Sequence, residues 1–281
     1  MIELCTAALL FAASAGAPDS LAVTVFDARG ERAELDAVCD AIADADVVFL
    51  GELHDDAAAH AVELELLASA DASARRAGRP LVLGLEMVET DVQTVLDEYL
   101  AGLARESDWL AAGRPWANYG TDYRPLVEFA RERRVAVVGT NAPGRYVSLV
   151  SRRGGLAALD SLSAAARAWL PPAVAPPSDS LAAKFTGLMG GMPHGAGPTV
   201  EGMLAAQNLR DATMAWRIAQ TLAAHPGALV VHVNGSFHSQ GRLGIPEHLA
   251  RLAPDARVVV VTMGPDARPA PGDDFTVRTA G

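Results

Sequence analysis

The sequence predicts an α/β fold in which helices flank both faces of a mostly parallel sheet. Five short apolar runs, rich in β-branched residues, recur along the chain between helix-like stretches. Each run is continuously apolar rather than alternating, which is typical of a strand covered on both faces, as in a parallel sheet. Alternation of such strands with helices indicates an α/β fold. The five predicted strands are Asp46–Leu50, Leu81–Leu85, Val135–Gly139, Ala228–Val233 and Arg257–Met263.

The segments between the first three strands carry helix signals. One of them starts on two aspartates at Asp55 and stops at Gly78, as a capped helix does. After the second strand, Thr90 and Gln93 have the spacing of a capping box, which predicts a helix start. Pro125 stands where the first position of a further helix is expected. Each strand is therefore followed by a helix that can cover the sheet.

One interval breaks this alternation and predicts a smaller subdomain. No strand is evident between Val150 and Val200, where a Pro/Ser-rich loop precedes a glycine-rich stretch with two methionines. We therefore expect a core domain over 18–145 and 201–281, and a helical insertion over 146–200 with a mobile Gly/Met-rich segment. A surface excursion and a functional lid or binding loop are both compatible with an interval of this length.

The first 17 residues predict a signal segment. An apolar run from Cys5 to Ala15 leads into Ala15-Gly16-Ala17, a small-x-small cleavage site, and the run is too short to span a bilayer. No Lys or Arg precedes it, so two locations stay open: exported to the periplasm or cell exterior, or cytoplasmic. After cleavage Cys39 would be the one remaining cysteine, which argues against a disulfide framework.

Composition and charge narrow the partners. The 281 residues are half hydrophobic and one fifth charged, as in ordinary globular proteins, and the formal net charge is −11. The acidic balance and the lack of a Lys/Arg-rich block argue against nucleic acid and against a polybasic hold on anionic lipid. No membrane span is predicted. A small-molecule ligand is the expected partner.

Polar side chains follow four of the five predicted strands. Glu52 and His54 follow the first, Glu86 the second, Asn141 the third and His238 the fourth. In an open parallel sheet, ligands bind outside the carboxyl ends of the strands. We therefore expect these side chains to converge at one edge of the sheet.

The first and fourth strands end in the same pattern, glycine, two residues and histidine, at 51–54 and 235–238. Glycine permits a sharp turn or a close approach of the backbone. Imidazoles and carboxylates are adequate ligands for a transition-metal ion, and they serve equally well as general acids and bases. Hydrogen-bonded structural histidines are the alternative. The candidates for a metal or catalytic site are Glu52, His54, Glu86 and His238.

Two loops add candidates for ligand contact. Trp116, Tyr119 and Tyr123 stand close together in a chain with few aromatic residues, where they can stack on a flat apolar ligand or fill the core. His194 lies in the Gly/Met-rich segment, where a ligand contact and a plain loop tip are both open. Four other histidines are expected to be structural or solvent-facing: His60, His225, His232 and His248.

A long helical stretch over 205–222 also combines polar and apolar residues on one face. Gln207 and Asp211 share this face with Met214 and Ile218. The pattern predicts a helix that begins at a pocket and continues into the core. A satisfied buried hydrogen bond is the plainer explanation.

An ordered set of motifs resembles the ChaN-like haem-binding family of the haem-uptake/Tiki superfamily. The set covers most of the chain, from about Val47 to Pro246. Its members are LGELHDD, GLEM followed by VQTVLDEYLAG, W-x-x-Y-x-x-x-Y-x-P, N-x-P, AQNLRDATMA and NGSFH with a later GIP.

The resemblance implies haem binding at the cell envelope, within an α/β domain that has a smaller helical part. It also implies dimers in which two haems can lie face to face. Haem iron takes an axial ligand such as histidine or tyrosine. The cofactor-binding candidates are His194, Tyr119 and Tyr123.

A second function follows from other relatives. Tiki proteins and erythromycin esterases are hydrolases whose sites use Gly-x-x-His motifs and a glutamate, and Tiki proteins need a divalent metal. Carried over by position, these residues are Glu52, His54, Glu86 and His238. Haem binding is the leading hypothesis, a metal-dependent hydrolase is the alternative, and a binding module with a vestigial cluster is a third.

Overall fold

A computed structural model describes residues 23–189 and 198–280. The predicted signal segment, the centre of the predicted Gly/Met-rich segment and His194 lie outside these residues. Among the helices that are described, none combines the length and the apolar character needed to cross a bilayer.

The centre of the molecule is one sheet of eight strands. The strands are β1 (Thr24–Asp27), β2 (Arg32–Ala33), β3 (Val47–Glu52), β4 (Leu81–Glu89), β5 (Ala136–Asn141), β6 (Leu229–Gly235), β7 (Val258–Gly264) and β8 (Phe275–Arg278). Their order across the sheet is β2-β1-β8-β7-β3-β6-β4-β5. The six strands from β8 to β5 are parallel, and β1 and β2 add antiparallel pairs at one side. The predicted α/β class and all five predicted strands are confirmed.

In the part of the chain that the structure describes, ten α-helices connect and cover these strands. They are α1 (Leu35–Asp44), α2 (Ala57–Ala77), α3 (Gln93–Leu100), α4 (Glu106–Ala112), α5 (Arg124–Arg133), α6 (Gly144–Arg153), α7 (Ala164–Arg167), α8 (Asp179–Met189), α9 (Val200–Ala224) and α10 (Ile245–Leu252). As predicted, α2 begins after an aspartate, since the Asp56 side chain accepts hydrogen bonds from the amides of Ala58 and Ala59. It ends at Gly78, whose φ of 64° is the left-handed conformation that glycine adopts without strain.

The capping box predicted at Thr90 is not formed. Residues Thr90–Val92 make a short 3₁₀-helix, and the Thr90 hydroxyl donates to the carbonyl of Trp169 instead. Gln93 is drawn to the outer strand β5. Its side-chain amide donates to the carbonyl of Val137 and accepts from the amide of Gly139, at 2.9 and 2.7 Å. Unpaired backbone groups at the sheet edge thus outcompete the helix start for the Gln93 side chain.

Alternate residues of the sheet face two different helical layers. On one face, Val48 and Leu50 pack with α1, α2 and α5 in the larger apolar core. On the other, Val47 and Phe49 pack with Met214 of α9 and with α10. Because side chains alternate along a strand, a strand covered on both faces must be apolar at every position, which explains the continuous runs.

The region after β5 packs around a small apolar core of its own. Tyr146 and Val147 of α6 pack there with Leu159, Leu170 and Leu209, the last on α9. In the described residues of 146–200 the secondary structure is helical. Residues 185–189, the start of the predicted Gly/Met-rich segment, belong to α8. The division of residues 146–200 from the core domain as a subdomain stays a prediction.

Candidate functional site

Two carboxylate–imidazole pairs meet at the carboxyl edge of the sheet. Nδ1 of His54 lies 2.8 Å from Oε1 of Glu52, the last residue of β3. Nε2 of His238, in a 3₁₀-turn after β6, lies 3.1 Å from Oε1 of Glu86. The other oxygen of Glu86 accepts from the amide of Gly235 at 2.8 Å. The structure therefore brings the four sequence-predicted residues together, as expected for neighbouring parallel strands, while their metal and catalytic roles stay predictions.

Glu86 lies inside a strand, not after one as its position at the end of Leu81–Leu85 suggested. Strand β4 runs on to Glu89, and its register against β5 shifts between Leu85 and Glu89. Irregularities of this kind re-aim side chains. The shift coincides with the position from which Glu86 reaches the 3₁₀-turn after β6.

The two strand-end glycines are required by space. A Cβ on Gly235 would lie 2.7 Å from Nε2 of His54, and a Cβ on Gly51 would lie 2.9 Å from Oγ of Ser239. The φ of Gly235 is −58°, which other residues adopt freely. Both positions therefore need glycine because neighbouring atoms approach closely, and not because the backbone makes a special turn.

His238 is held from two sides by carboxylates. Besides Glu86, its Nδ1 contacts Asp211 of α9, and Gln207 lies 3.0 Å away on the same helix. Burial alone would lower the pKa of His238, but Glu86 and Asp211 raise it to about 10. Burial opposes ionisation of Glu86 as well, yet the neighbouring His238 lowers its pKa to about 2. The pair is thus ionised at neutral pH. Helix α9 does not begin beside the strand-end residues, since Gln207 and Asp211 lie well after its first residue, Val200.

His54 is the member of the site that faces solvent, with 42% of its side chain exposed. Burial of the remainder would lower its pKa, but the hydrogen bond to Glu52 and the nearby Glu86 raise it above the usual value. With Nδ1 occupied by Glu52, Nε2 is the nitrogen left for a ligand. The Trp116 ring packs edge-on against the imidazole, at 4.7 Å between centroids, and fixes its orientation.

Helix α2 adds two buried residues that sequence reasoning missed. Nδ1 of His60 lies 3.0 Å from Oε2 of Glu52 and 3.2 Å from Oε2 of Glu63. His60, expected to be structural or solvent-facing, is in fact buried against the site. The missed signal is positional: Glu63 falls within the apolar stripe of α2, among buried residues such as Val62 and Leu66, where a carboxylate needs a partner.

The second group, formed by Glu52, His60 and Glu63, differs in its pKa shifts from the pair of Glu86 and His238. Burial and the neighbouring Glu52 raise the pKa of Glu63 to about 8. Burial would lower the pKa of His60, but the two glutamates raise it to about 10. The hydroxyl of Tyr123 donates to Oε1 of Glu52 at 2.8 Å. Because Glu52 contacts His54 through Oε1 and His60 through Oε2, its carboxylate belongs to both groups.

The loop that carries Trp116, Tyr119 and Tyr123 packs against His54 and Glu52 of the site. Residues Tyr119–Tyr123 form a π-helical turn, an irregularity that is frequent at functional sites. Asn118, just before it, donates to the carbonyl of His54 at 2.8 Å. Tyr119 is buried against Trp109, and Tyr123 is fully buried. Either phenol would have to leave these contacts to bind haem iron, and both ligand roles stay predictions, like that of His194.

The remaining histidines have structural partners or lie away from the site. Nε2 of His232, inside β6, lies 2.8 Å from the Thr140 hydroxyl, and Nε2 of His248 lies 2.9 Å from Oδ1 of Asn208. Both rings are buried, and His225 is exposed at the end of α9.

A groove of about 380 Å³ adjoins the strand-end residues. Gln207, which contacts His238, lines it, and so does Arg210, which donates to Oδ1 of Asn141 at the end of β5. Its apolar walls come from α6, α8 and α9, and they include Val147, Phe185, Met189 and Met203. Arg152 lies on its rim. The groove thus combines an apolar surface with two guanidinium groups.

A family model described as "Haem-binding uptake, Tiki superfamily, ChaN" matches residues 38–249. The chain belongs to this family. The match spans the whole set of motifs from Val47 to Pro246, so the resemblance inferred from them is confirmed. No curated protein matches the chain.

A solved structure supports the ChaN fold. The structure titled "Cofacial heme binding to ChaN of Campylobacter jejuni" matches with a TM-score of 0.69 and 16% sequence identity, over 92% of this chain and 97% of that chain. At this identity the likeness shows the fold alone. The likeness in fold covers nearly the full length of both chains.

Two weaker likenesses involve other activities. An erythromycin esterase mutant, EreC in its open conformation, has a TM-score of 0.47 and 15% identity, over 87% of this chain and 78% of that chain. RRSP, a MARTX toxin effector domain from Vibrio vulnificus CMCP6, has a TM-score of 0.43 and 19% identity, over 87% and 38%. Scores of this size carry no argument about activity, and they do not favour the hydrolase alternative over membership of the ChaN family.

Proposed function

We propose that this ChaN-family chain binds haem at the carboxyl edge of its sheet. The observation that carries the proposal is the groove beside His238, with its apolar walls and its two arginines. Its volume of about 380 Å³ lies within the range of small-molecule sites. A porphyrin offers the matching chemistry, since its flat ring is apolar and its two propionates are anionic.

The arginines retain donors for those propionates. Arg210 uses Nη1 on Asn141, and Arg152 uses Nε on the carbonyl of Ser148. A guanidinium has five N–H donors, so each side chain keeps several for a carboxylate. Charge-assisted hydrogen bonds of this kind are the strong ones.

The iron ligand has two histidine candidates. His54 is half-exposed at the same edge, and Glu52 holds its Nδ1, which leaves Nε2 for coordination. A carboxylate on the distal nitrogen orients such a ligand and raises its basicity. His194 was predicted from the sequence and lies outside the described residues. When bound, haem supplies an iron atom that accepts one of these imidazoles as an axial ligand.

A haemin titration of the purified chain, read in the Soret band, tests the proposal. We expect a saturable shift that is lost in one of two variants, His54→Ala or His194→Ala, and retained in the other. His225→Ala is the matched control, because His225 is exposed at the other end of α9. A wild-type chain with no saturable shift contradicts the proposal.

The groove is tested separately from the iron ligand. Arg152→Ala and Arg210→Ala remove the two guanidinium groups, and we expect each to weaken haemin binding by about tenfold, roughly 1.4 kcal/mol, as for one charge-assisted hydrogen bond. Arg76→Ala, an exposed residue near the end of α2, serves as control. Unchanged affinity for haemin in both groove variants would show that haem binds outside this groove.

We also propose that this binding serves haem uptake or handling, which the words "Haem-binding uptake" in the family description support, and that it does so at the cell envelope. Cell fractionation of the native chain tests the location, and size-exclusion chromatography with and without haemin tests for the expected dimer. Recovery in the cytoplasm would contradict the envelope role without touching haem binding itself.

A further inference from the structure

The group formed by Glu52, His60 and Glu63 would carry an excess of buried negative charge if both of its carboxylates were ionised. All three side chains are buried, and two of them are carboxylates. Among the described residues no lysine or arginine forms an ion pair with them, and the ionic partners of His60 are carboxylates. Buried carboxylates without compensating cations are costly, so this group requires protons or a metal ion.

Two carboxylate oxygens of the group lack a hydrogen-bond partner among the described residues, Oε2 of Glu52 and Oε1 of Glu63. Oε1 of Glu63 is fully buried and meets no hydrogen-bond donor among the described residues, although its neighbour Oε2 contacts His60. A buried oxygen of this kind calls for a ligand that the protein itself does not provide. The open oxygen of Glu52 faces the group, since it lies 3.0 Å from Nδ1 of His60, and one oxygen of Glu63 lies within 4.8 Å of ligand atoms of both other residues.

We propose that Glu52, His60 and Glu63 bind a divalent transition-metal ion, Zn²⁺ or Mn²⁺. One ligand atom from each residue can be chosen so that all three lie within 4.8 Å of one another. His60 Nδ1 lies 3.0 Å from a Glu52 oxygen and 3.2 Å from a Glu63 oxygen. Atoms that each lie 2.0–2.2 Å from a shared metal are roughly 3.0–3.4 Å apart. The three residues therefore need only small movements to coordinate an ion.

The chemistry of the set supports a transition metal. Imidazole suits zinc and its neighbours, and carboxylates suit manganese and zinc. Metal-binding histidines usually donate their other N–H to a carbonyl or a carboxylate. Nε2 of His60 has both within reach, since it lies 3.4 Å from the carbonyl oxygen of His54 and 3.7 Å from Oδ2 of Asp122.

Local sequence and structure provide the site and an entry route. His60 and Glu63 are three residues apart on α2, which puts them on one face of the helix. Above them lie the exposed face of His54 and the π-helical turn Tyr119–Tyr123, whose opening would expose the group.

The metal would act on the site through Glu52. Glu52 holds His54 with Oε1 and would hold the metal with Oε2, so the ion fixes the carboxylate that orients His54. This site differs from the sequence-predicted set, which pairs Glu52 with His54, Glu86 and His238. The inference does not depend on haem binding.

Metal binding can be measured on the full chain without haem. After chelator treatment, titration calorimetry with ZnCl₂ and MnCl₂ should give one site per chain, and elemental analysis should find the ion in protein as purified. Glu63→Gln keeps the shape of the side chain and should weaken binding at least tenfold. Glu65→Gln, exposed on the same helix, is the matched control and should bind as the wild type does.

A second pair of variants separates this site from the strand-end residues. His54→Ala and Glu86→Gln should retain the ion, and His60→Gln should lose it. If Glu63→Gln fails to fold, His60→Gln together with a metal-dependent rise in Tm of the wild type decides the question. A wild type that binds neither ion overturns the proposal, and so does binding lost with Glu86→Gln but kept with Glu63→Gln.

Discussion

Glu86 of β4 and His238 of the turn after the adjacent strand β6 form a buried ion pair, with 3.1 Å between Oε1 and Nε2. Because both side chains are buried, each compensates the charge that the other brings into the interior. The pair also fixes the turn after β6, since the second oxygen of Glu86 accepts from the amide of Gly235.

Removing one charge of this pair should destabilise the chain strongly. We expect Glu86→Gln to lower the free energy of unfolding by about 3 kcal/mol, because it breaks a buried ion pair and leaves Asp211 as the one carboxylate that compensates His238 among the described residues. Urea denaturation measures the change. The double variant Glu86→Gln with His238→Gln should recover part of the loss, and a single-variant loss below about 1 kcal/mol would show that the pair is not essential.

Gly235→Ala should disturb His54 without straining the backbone. The added Cβ would lie 2.7 Å from Nε2 of His54, while the φ of −58° suits alanine. We expect the imidazole to move away from Glu52 and its pKa to fall toward the ordinary value, as followed by NMR titration. Gly120→Ala, where a Cβ meets nothing within 4 Å, is the control. An unchanged His54 titration would mean that the ring has room to spare.

The contribution of His232 to stability should fall as the pH drops from about 6.5 to 4. Burial lowers the pKa of His232 to about 4 in the folded chain, so below pH 6.5 the unfolded chain binds the extra proton. The contribution of the neutral His232 ring to the free energy of unfolding is complete above its pKa in the unfolded chain, about 6.5. This contribution is lost as the pH falls toward its pKa in the folded chain, about 4. His232→Asn should flatten the dependence of unfolding free energy on pH in this window, whereas the exposed His225→Gln should leave it unchanged.

Two glycine substitutions should act in opposite directions. Gly187 lies exposed inside α8 with nothing near its missing Cβ, so Gly187→Ala should stabilise the chain by about 0.5 kcal/mol through helix propensity. Gly154 is equally uncrowded, but its φ is 75° at the end of α6, so Gly154→Ala should destabilise by about 1 kcal/mol. Thermal unfolding distinguishes the two signs, and equal shifts would contradict the conformational explanation.

The central strands were predictable because strands covered on both faces leave a continuous apolar run. The outer strands β1, β2 and β8 were not, since four residues or fewer give no readable pattern. The extent of β4 beyond Leu85 was also missed, because its polar Glu86 interrupts the run.

The convergence of the strand-end residues was predictable from topology alone, since parallel strands deliver their carboxyl ends to one edge. The contribution of α2 was not foreseen. His60 and Glu63 were read as part of a helix, and whether a polar helical residue points to solvent or to a site depends on tertiary packing. Asp211, noted for its helical face, proved to contact His238.

The side chain of Gln93 has a consequence for self-association. Its amide occupies the outward-facing carbonyl of Val137 and the amide of Gly139, which an added strand would need. An exposed edge of this kind is a template for fibril growth and for pairing with foreign strands. A second copy that extended the sheet at β5 would first have to displace Gln93. The side chain of this helix residue therefore disfavours aggregation through pairing at that edge.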